Sequence, residues 1–180
     1  SLVGEKTPGY LYQPWVAPML KHVAPEAKLI VLMRDPVERY ISNLGLLGRA
    51  GALKGEVGDG ELGTREHRVV EAMERSRYAT QLSWWLEHVR REQFLLLQYE
   101  QCKADAQVQL DRTYAFLGLR PQNASVQEIA RARKKAKEHV VLPDSSRQWL
   151  GEYYAQDVRR LRELMPDLDL ALWPSIPPLD

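Results

Sequence analysis

Two short apolar runs interrupt a chain that otherwise follows a helical pattern. Lys28-Leu29-Ile30-Val31-Leu32-Met33 is nearly continuous in apolar residues, as expected of a strand buried on both faces. Gln93-Phe94-Leu95-Leu96-Leu97-Gln98-Tyr99 is the second such run. Each lies between helical stretches, which predicts βα units, an α/β class and a parallel sheet flanked by helices. Two strands are too few for a covered parallel sheet, so further strands are expected upstream of residue 1. On that expectation the isolated chain exposes strand edges, and the 28–33 strand borders a partner or an added segment.

The helices follow from spacing and caps. Asp35-Pro36-Val37-Glu38 opens a helix with an N-cap, a proline at the first helical position and a capping-box glutamate. Val37, Tyr40, Ile41, Leu44 and Leu47 give it one apolar face. Five glycines between 49 and 63 (Gly51, Gly55, Gly58, Gly60, Gly63) predict a mobile loop suited to a lid or to acceptor specificity. Further helices are predicted from Thr64 to Ser76 and from Arg77 to Arg90, the latter with Tyr78, Leu82, Trp85, Leu86 and Val89 on one stripe. Asp105 to Leu117 is closed by Gly118, and Ser125 to Lys137 is a basic helical stretch. Pro143-Asp144-Ser145 opens a helix toward Tyr154, and Asp157 opens another toward Met165. The tail, WPSIPPLD, is expected to be extended.

Composition narrows the class without naming a function. The 180 residues are 44% hydrophobic and 27% charged, which suits a single domain of 1–180 with a sizeable core and argues against disorder. The net charge of +1 supplies no global field to recruit nucleic acid or an anionic membrane. Cys102 is the only cysteine, so no intrachain disulfide forms and a reducing, cytoplasmic setting is expected. The scattered histidines (His22, His67, His88, His139) have no metal-ligand spacing, so no metal is expected. The opening SLVGEKTPGY lacks a Met, a basic start and an apolar stretch, and reads as the interior of a larger protein.

The chemistry concentrates in KLIVLMRDPVERYISN, residues 28–43. A strand delivers Arg34 to its carboxyl end, where open α/β sheets bind ligands. The helix that begins there favours anions at its N-terminus. Ser42 lies seven residues past the cap, about 10 Å along the axis at ~1.5 Å per residue. Arg34 and Ser42 together suit a phosphate. On these residues alone a second reading stands beside the first: Arg34 pairs with a neighbouring carboxylate and Ser42 is solvated.

The segment resembles the 3′-phosphate motif of sulfotransferases that use 3′-phosphoadenosine 5′-phosphosulfate (PAPS), in which an Arg ends the strand, Asp-Pro follows, and a Ser comes eight residues after the Arg. GEKTPGYLY at 4–12 resembles a stretch of the glycan and bacterial members. RYATQLSWWLEHVRREQFLLLQYEQCKADAQVQLDRTYAFLGL at 77–119 follows the family order, and SSRQWLGEYYAQDVRRLRELMPDLDLALWP at 145–174 is similar to its closing helices. The resemblance implies a P-loop-NTPase-like sulfotransferase fold, here its later part, without the upstream strand, phosphate loop and helix. It implies PAPS as sulfuryl donor and a small-molecule, lipid or glycan acceptor bearing a hydroxyl or amine. Arg34 and Ser42 would grip the 3′-phosphate, Tyr78 would lie against adenine or pack in the core, and Lys6 would contact substrate or sulfuryl group or remain solvated. Trp84, Trp85, Phe116 and Leu117 read as packing, and Tyr99-Glu100 as closing the strand.

The catalytic base is not nominated, and this segment alone is expected to lack half of the donor site. Alanine- and arginine-rich helices suggest a bacterial member, and self-association is open. The basic run Arg131, Arg133, Lys134, Lys135 and Lys137 lacks the glycine of the family's basic loop and reads as a solvated helix. The alternative function is a non-catalytic, truncated nucleotide-binding or interaction module. A kinase-like protein is disfavoured, because the glycines at 51–63 lack a Gly-Lys-Ser/Thr ending.

Overall fold

The computed structural model of the chain describes residues 3–49, 65–122 and 140–179. The predicted mobile loop at 49–63 (apart from Arg49), the basic run and His139 lie outside them. The two apolar runs become β1 (Leu29–Met33) and β2 (Phe94–Gln98), paired in parallel with Leu29 opposite Phe94 and Met33 opposite Gln98. Around the pair come α1 (Val16–Val23), α2 (Pro36–Arg49), α3 (Arg65–Glu74), α4 (Tyr78–Leu86), α5 (Tyr99–Ala104), α6 (Ala106–Leu117) and α7 (Asp144–Leu164). The architecture is the expected α/β one. The short helix α5, which follows β2 directly, is an addition to the predicted set.

One face of the strand pair joins the core. Met33 and Phe94 are buried there with Val37 and Ile41 of α2, Tyr78, Leu82 and Trp85 of α4, and Leu150, Tyr154, Val158 and Leu161 of α7. The other face departs from the predicted two-sided burial: Ile30 is 43% and Leu32 53% exposed. Among the described residues, α5 and α6 pack on β2. α6 also reaches the entrance of β1, where the Lys28 ammonium donates to the Phe116 carbonyl at 2.6 Å. Among the described residues, the middle of β1 keeps one uncovered face.

The C-terminal region also departs from the prediction. Instead of two helices, Asp144–Leu164 is one, because Leu150, Tyr154, Val158 and Leu161 form an unbroken buried stripe at helical spacing. Asp157 begins no helix of its own. It is buried, and its carboxylate accepts from the backbone N–H groups of Ala79 and Thr80 at 2.9 and 3.0 Å and from the Thr80 hydroxyl at 2.7 Å. Arg77, at the N-cap of α4, makes no side-chain cap bond, so α7 supplies that cap from outside the helix. Asp157→Ala should therefore lower stability by on the order of 2 kcal/mol, read from denaturant unfolding, because buried N–H groups lose a charged acceptor. Asp157→Asn should recover part of the loss.

The tail is anchored rather than free. A 3-10 turn at Leu170–Leu172 leads to Trp173, which is 1% exposed. The backbone then crosses α7 so closely that a Cβ on Gly151 would lie 2.2 Å from the Ser175 carbonyl oxygen. Only glycine permits that approach.

Candidate functional site

The parallel register continues past the strands and builds the site. Beyond Met33 and Gln98 come Arg34 and Tyr99, and the Arg34 guanidinium lies 5.0 Å from the centre of the Tyr99 ring. One residue further, the Asp35 N–H donates to the Glu100 carboxylate at 3.0 Å. The other Glu100 oxygen accepts from the Trp173 indole N–H at 3.2 Å. Glu100 therefore ties the end of β1 to the start of α5 and to the tail.

Asp35 caps α2 as predicted. One oxygen accepts from the N–H groups of Val37 and Glu38 at 2.9 and 3.2 Å, and the other from the Ser175 N–H at 3.1 Å. Burial pushes its carboxyl pKa up, and these hydrogen bonds pull the other way. Two expectations change. Glu100, rather than Glu38, takes the N-cap backbone N–H, so the predicted capping box is not formed. The first free N–H groups of α2 are spent on Asp35 and so are not open to an outside anion.

Tyr78 works from beneath. Its ring is 2% exposed and tilted against Trp173, with centroids 6.0 Å apart. The Arg34 N–H donates to the Tyr78 hydroxyl at 3.2 Å, and that hydroxyl donates to the Arg34 carbonyl at 3.1 Å. The hydroxyl fixes the backbone from which the Arg34 side chain springs. Arg39 passes 5.9 Å from the same ring toward the Ser76 hydroxyl, and burial pulls its pKa down. Burial also raises the Tyr78 pKa to about 12 and raises that of Tyr154. A raised folded-state pKa means full stability below the ordinary phenol range near pH 10 and progressive loss as pH climbs toward 12. Tyr78→Phe should flatten part of that alkaline decline in melting temperature while loosening Arg34.

The Arg34 side chain turns along α2. Its Nη2 donates to Glu38 Oε2 at 3.1 Å, and Glu38 Oε1 accepts from Arg147 Nη2 at the start of α7. Each of these three side chains is about one third exposed. Ser42, exposed, is one helical turn beyond Glu38 on the same face of α2. Arg34, at the end of β1, thus meets Glu38 in the first turn of α2, Ser42 follows one turn further along that helix, and Arg147 arrives from the side. Arg34 does pair with a neighbouring carboxylate, as one sequence reading had it. Glu38 had been assigned to capping, and nothing local in the sequence pointed to Arg147. Lys6 stands exposed in the N-terminal segment, which Trp85 anchors to α4 by its indole N–H on the Leu11 carbonyl at 3.1 Å. Among the described residues, no group of His, Cys, Asp and Glu is disposed to hold a metal ion, and no helix is long and apolar enough to cross a membrane.

A family model described as the sulfotransferase family matches residues 1–123. The chain belongs to the sulfotransferase family. It is 29% identical over 123 residues to heparan sulfate glucosamine 3-O-sulfotransferase 3B1 of Homo sapiens, covering 64% of this chain and 31% of that protein. The human 3A1 protein gives the same identity over the same length, covering 30% of itself. A 42-residue stretch is 54% identical to membrane-associated sulfotransferase kil1 of Dictyostelium discoideum, 23% of this chain and 9% of that protein. The chain thus spans less than a third of the curated relatives it matches. A crystal structure of a sulfotransferase from Alicyclobacillus acidocaldarius superposes with a TM-score of 0.69 at 24% identity, covering 92% of this chain and 65% of that one. The fold is therefore the sulfotransferase fold.

Proposed function

We propose that the chain forms the 3′-phosphate side of a PAPS-dependent sulfotransferase, which moves a sulfuryl group from PAPS to an acceptor hydroxyl or amine. The observation that carries this reading is the Arg34 guanidinium at the carboxyl end of β1, already bound to an anionic group, Glu38, with Ser42 one helical turn beyond Glu38 on α2. An Arg34 whose guanidinium lies against the Tyr99 ring and whose backbone is held by the Tyr78 hydroxyl is pre-organised, so less freedom is lost when phosphate binds. The donor set fits a phosphate: a planar fork for two oxygens and a hydroxyl for a third.

PAPS supplies the activated sulfuryl group, and transfer spreads negative charge over the sulfuryl oxygens and the departing phosphate. The protein's task is then to position and to supply cationic donors. Arg34 and Ser42 hold the nucleotide at its far end and so set the register of the reacting group. Tyr78 keeps Arg34 in place. Lys6 is the proposed contact to the sulfuryl group or the acceptor. The acceptor is a small molecule, lipid or glycan; two relatives are named for a glycan substrate. The single cysteine suits a cytoplasmic setting, and the alanine- and arginine-rich helices suit a bacterial one.

Equilibrium titration of the intact protein with adenosine 3′,5′-bisphosphate and with adenosine 5′-monophosphate tests the reading. The bisphosphate should bind about tenfold tighter or better, the worth of one good charged hydrogen bond. Equal affinity would overturn it. A preference for the bisphosphate without any transfer from PAPS would leave a binding module instead of an enzyme.

A further inference from the structure

Glu38 sits between two guanidiniums that come from distant parts of the chain. Arg34 at the end of β1 takes one oxygen at 3.1 Å, and Arg147, 109 residues from Glu38 in sequence, takes the other. A carboxylate and a phosphate offer a guanidinium the same kind of paired oxygens. Two cations that converge on one therefore also converge on the other. The backbone that carries Arg147 is fixed. Its N–H donates to the Pro143 carbonyl at 3.0 Å in the first turn of α7, and the buried stripe of that helix is locked against α2 and α4. An ion pair that is one third exposed adds little to folding, so folding alone gives weak reason to bring these three side chains together.

We infer that Arg147 is a second cationic ligand of the nucleotide's 3′-phosphate, and that Glu38 is the internal anion that holds Arg34 and Arg147 converged until the phosphate takes its place. The inference rests on the 3′-phosphate reading above and adds to it a residue from the C-terminal helix. The phosphate enters between the two guanidiniums beside Ser42, and Glu38, being partly exposed, turns to solvent.

The test uses the intact protein, with adenosine 3′,5′-bisphosphate and adenosine 5′-monophosphate as probes. Arg147→Ala should weaken the bisphosphate about fivefold, leave the monophosphate unchanged and hardly move the melting temperature. Arg147→Lys should restore part of the preference, since an ammonium keeps the charge but not the fork. A structural role alone would weaken both nucleotides together and lower the melting temperature, and that result would overturn the inference, as would an unchanged bisphosphate affinity. Arg34→Ala is run in parallel. If it lowers the preference while Arg147→Ala does not, only the role of Arg147 fails. If neither variant alters it, the 3′-phosphate reading fails with it.

Discussion

Trp173→Ala is expected to cost about 3–5 kcal/mol of stability, in the range for deleting a fully buried aromatic. The loss has two sources. The cavity left behind opens beside Tyr78, whose ring lies against the indole. The Glu100 carboxylate also loses the indole N–H at 3.2 Å, while its other oxygen still carries the Asp35 N–H. The substitution therefore reaches the site through Glu100 and Tyr78, both of which fix the turn that presents Arg34. Denaturant unfolding gives the stability. Trp173→Phe separates the two sources, because it refills most of the cavity but cannot donate to Glu100. It should fall between the wild type and the alanine variant. A Trp173→Ala protein as stable as the wild type would mean that the tail is not anchored as described.

Arg34→Ala should remove most of the preference for adenosine 3′,5′-bisphosphate over the 5′-monophosphate. A charged hydrogen bond to phosphate contributes roughly 1.5–3 kcal/mol, which corresponds to tenfold or more in affinity. The monophosphate lacks the group that Arg34 addresses and should be nearly unaffected. Ser42→Ala should change selectivity in the same direction and by less, because a hydroxyl is a neutral donor. The Arg34–Glu38 pair is partly exposed, so its loss should hardly alter stability. The binding effect can then be read without an unfolding correction. Losses of equal size for both nucleotides would place Arg34 outside the phosphate site.

What the sequence made legible was local. The two strands, the Asp35-Pro36 start of α2, the Gly118 end of α6 and the spacing of Arg34 and Ser42 all depend on residues a few positions apart. Gly118 shows the link between residue and backbone most simply, with φ at 75° in the left-handed region that glycine tolerates. What was not legible depends on contacts across the chain. Glu100 reaches Asp35 over 65 residues, Asp157 reaches Ala79 over 78, and Ser175 reaches Asp35 over 140. Each took a role that a local rule had given to a nearer residue or to none. Glu38 sat at the capping-box position, but Glu100 offered Asp35 a better-placed carboxylate and left Glu38 free to meet Arg34 and Arg147. Asp157 had the look of a helix start because acidic residues favour that position. It does cap a helix, though not its own. The apolar composition of β1 likewise predicted burial on both faces, whereas Ile30 and Leu32 remain open among the described residues.

A crystal structure of the intact protein with adenosine 3′,5′-bisphosphate bound tests the phosphate site directly. The 3′-phosphate should lie at the carboxyl end of β1, within hydrogen-bond distance of the Arg34 guanidinium and the Ser42 hydroxyl, with Arg34 released from Glu38. A 3′-phosphate seated elsewhere, with Arg34 still paired to Glu38, would contradict this placement.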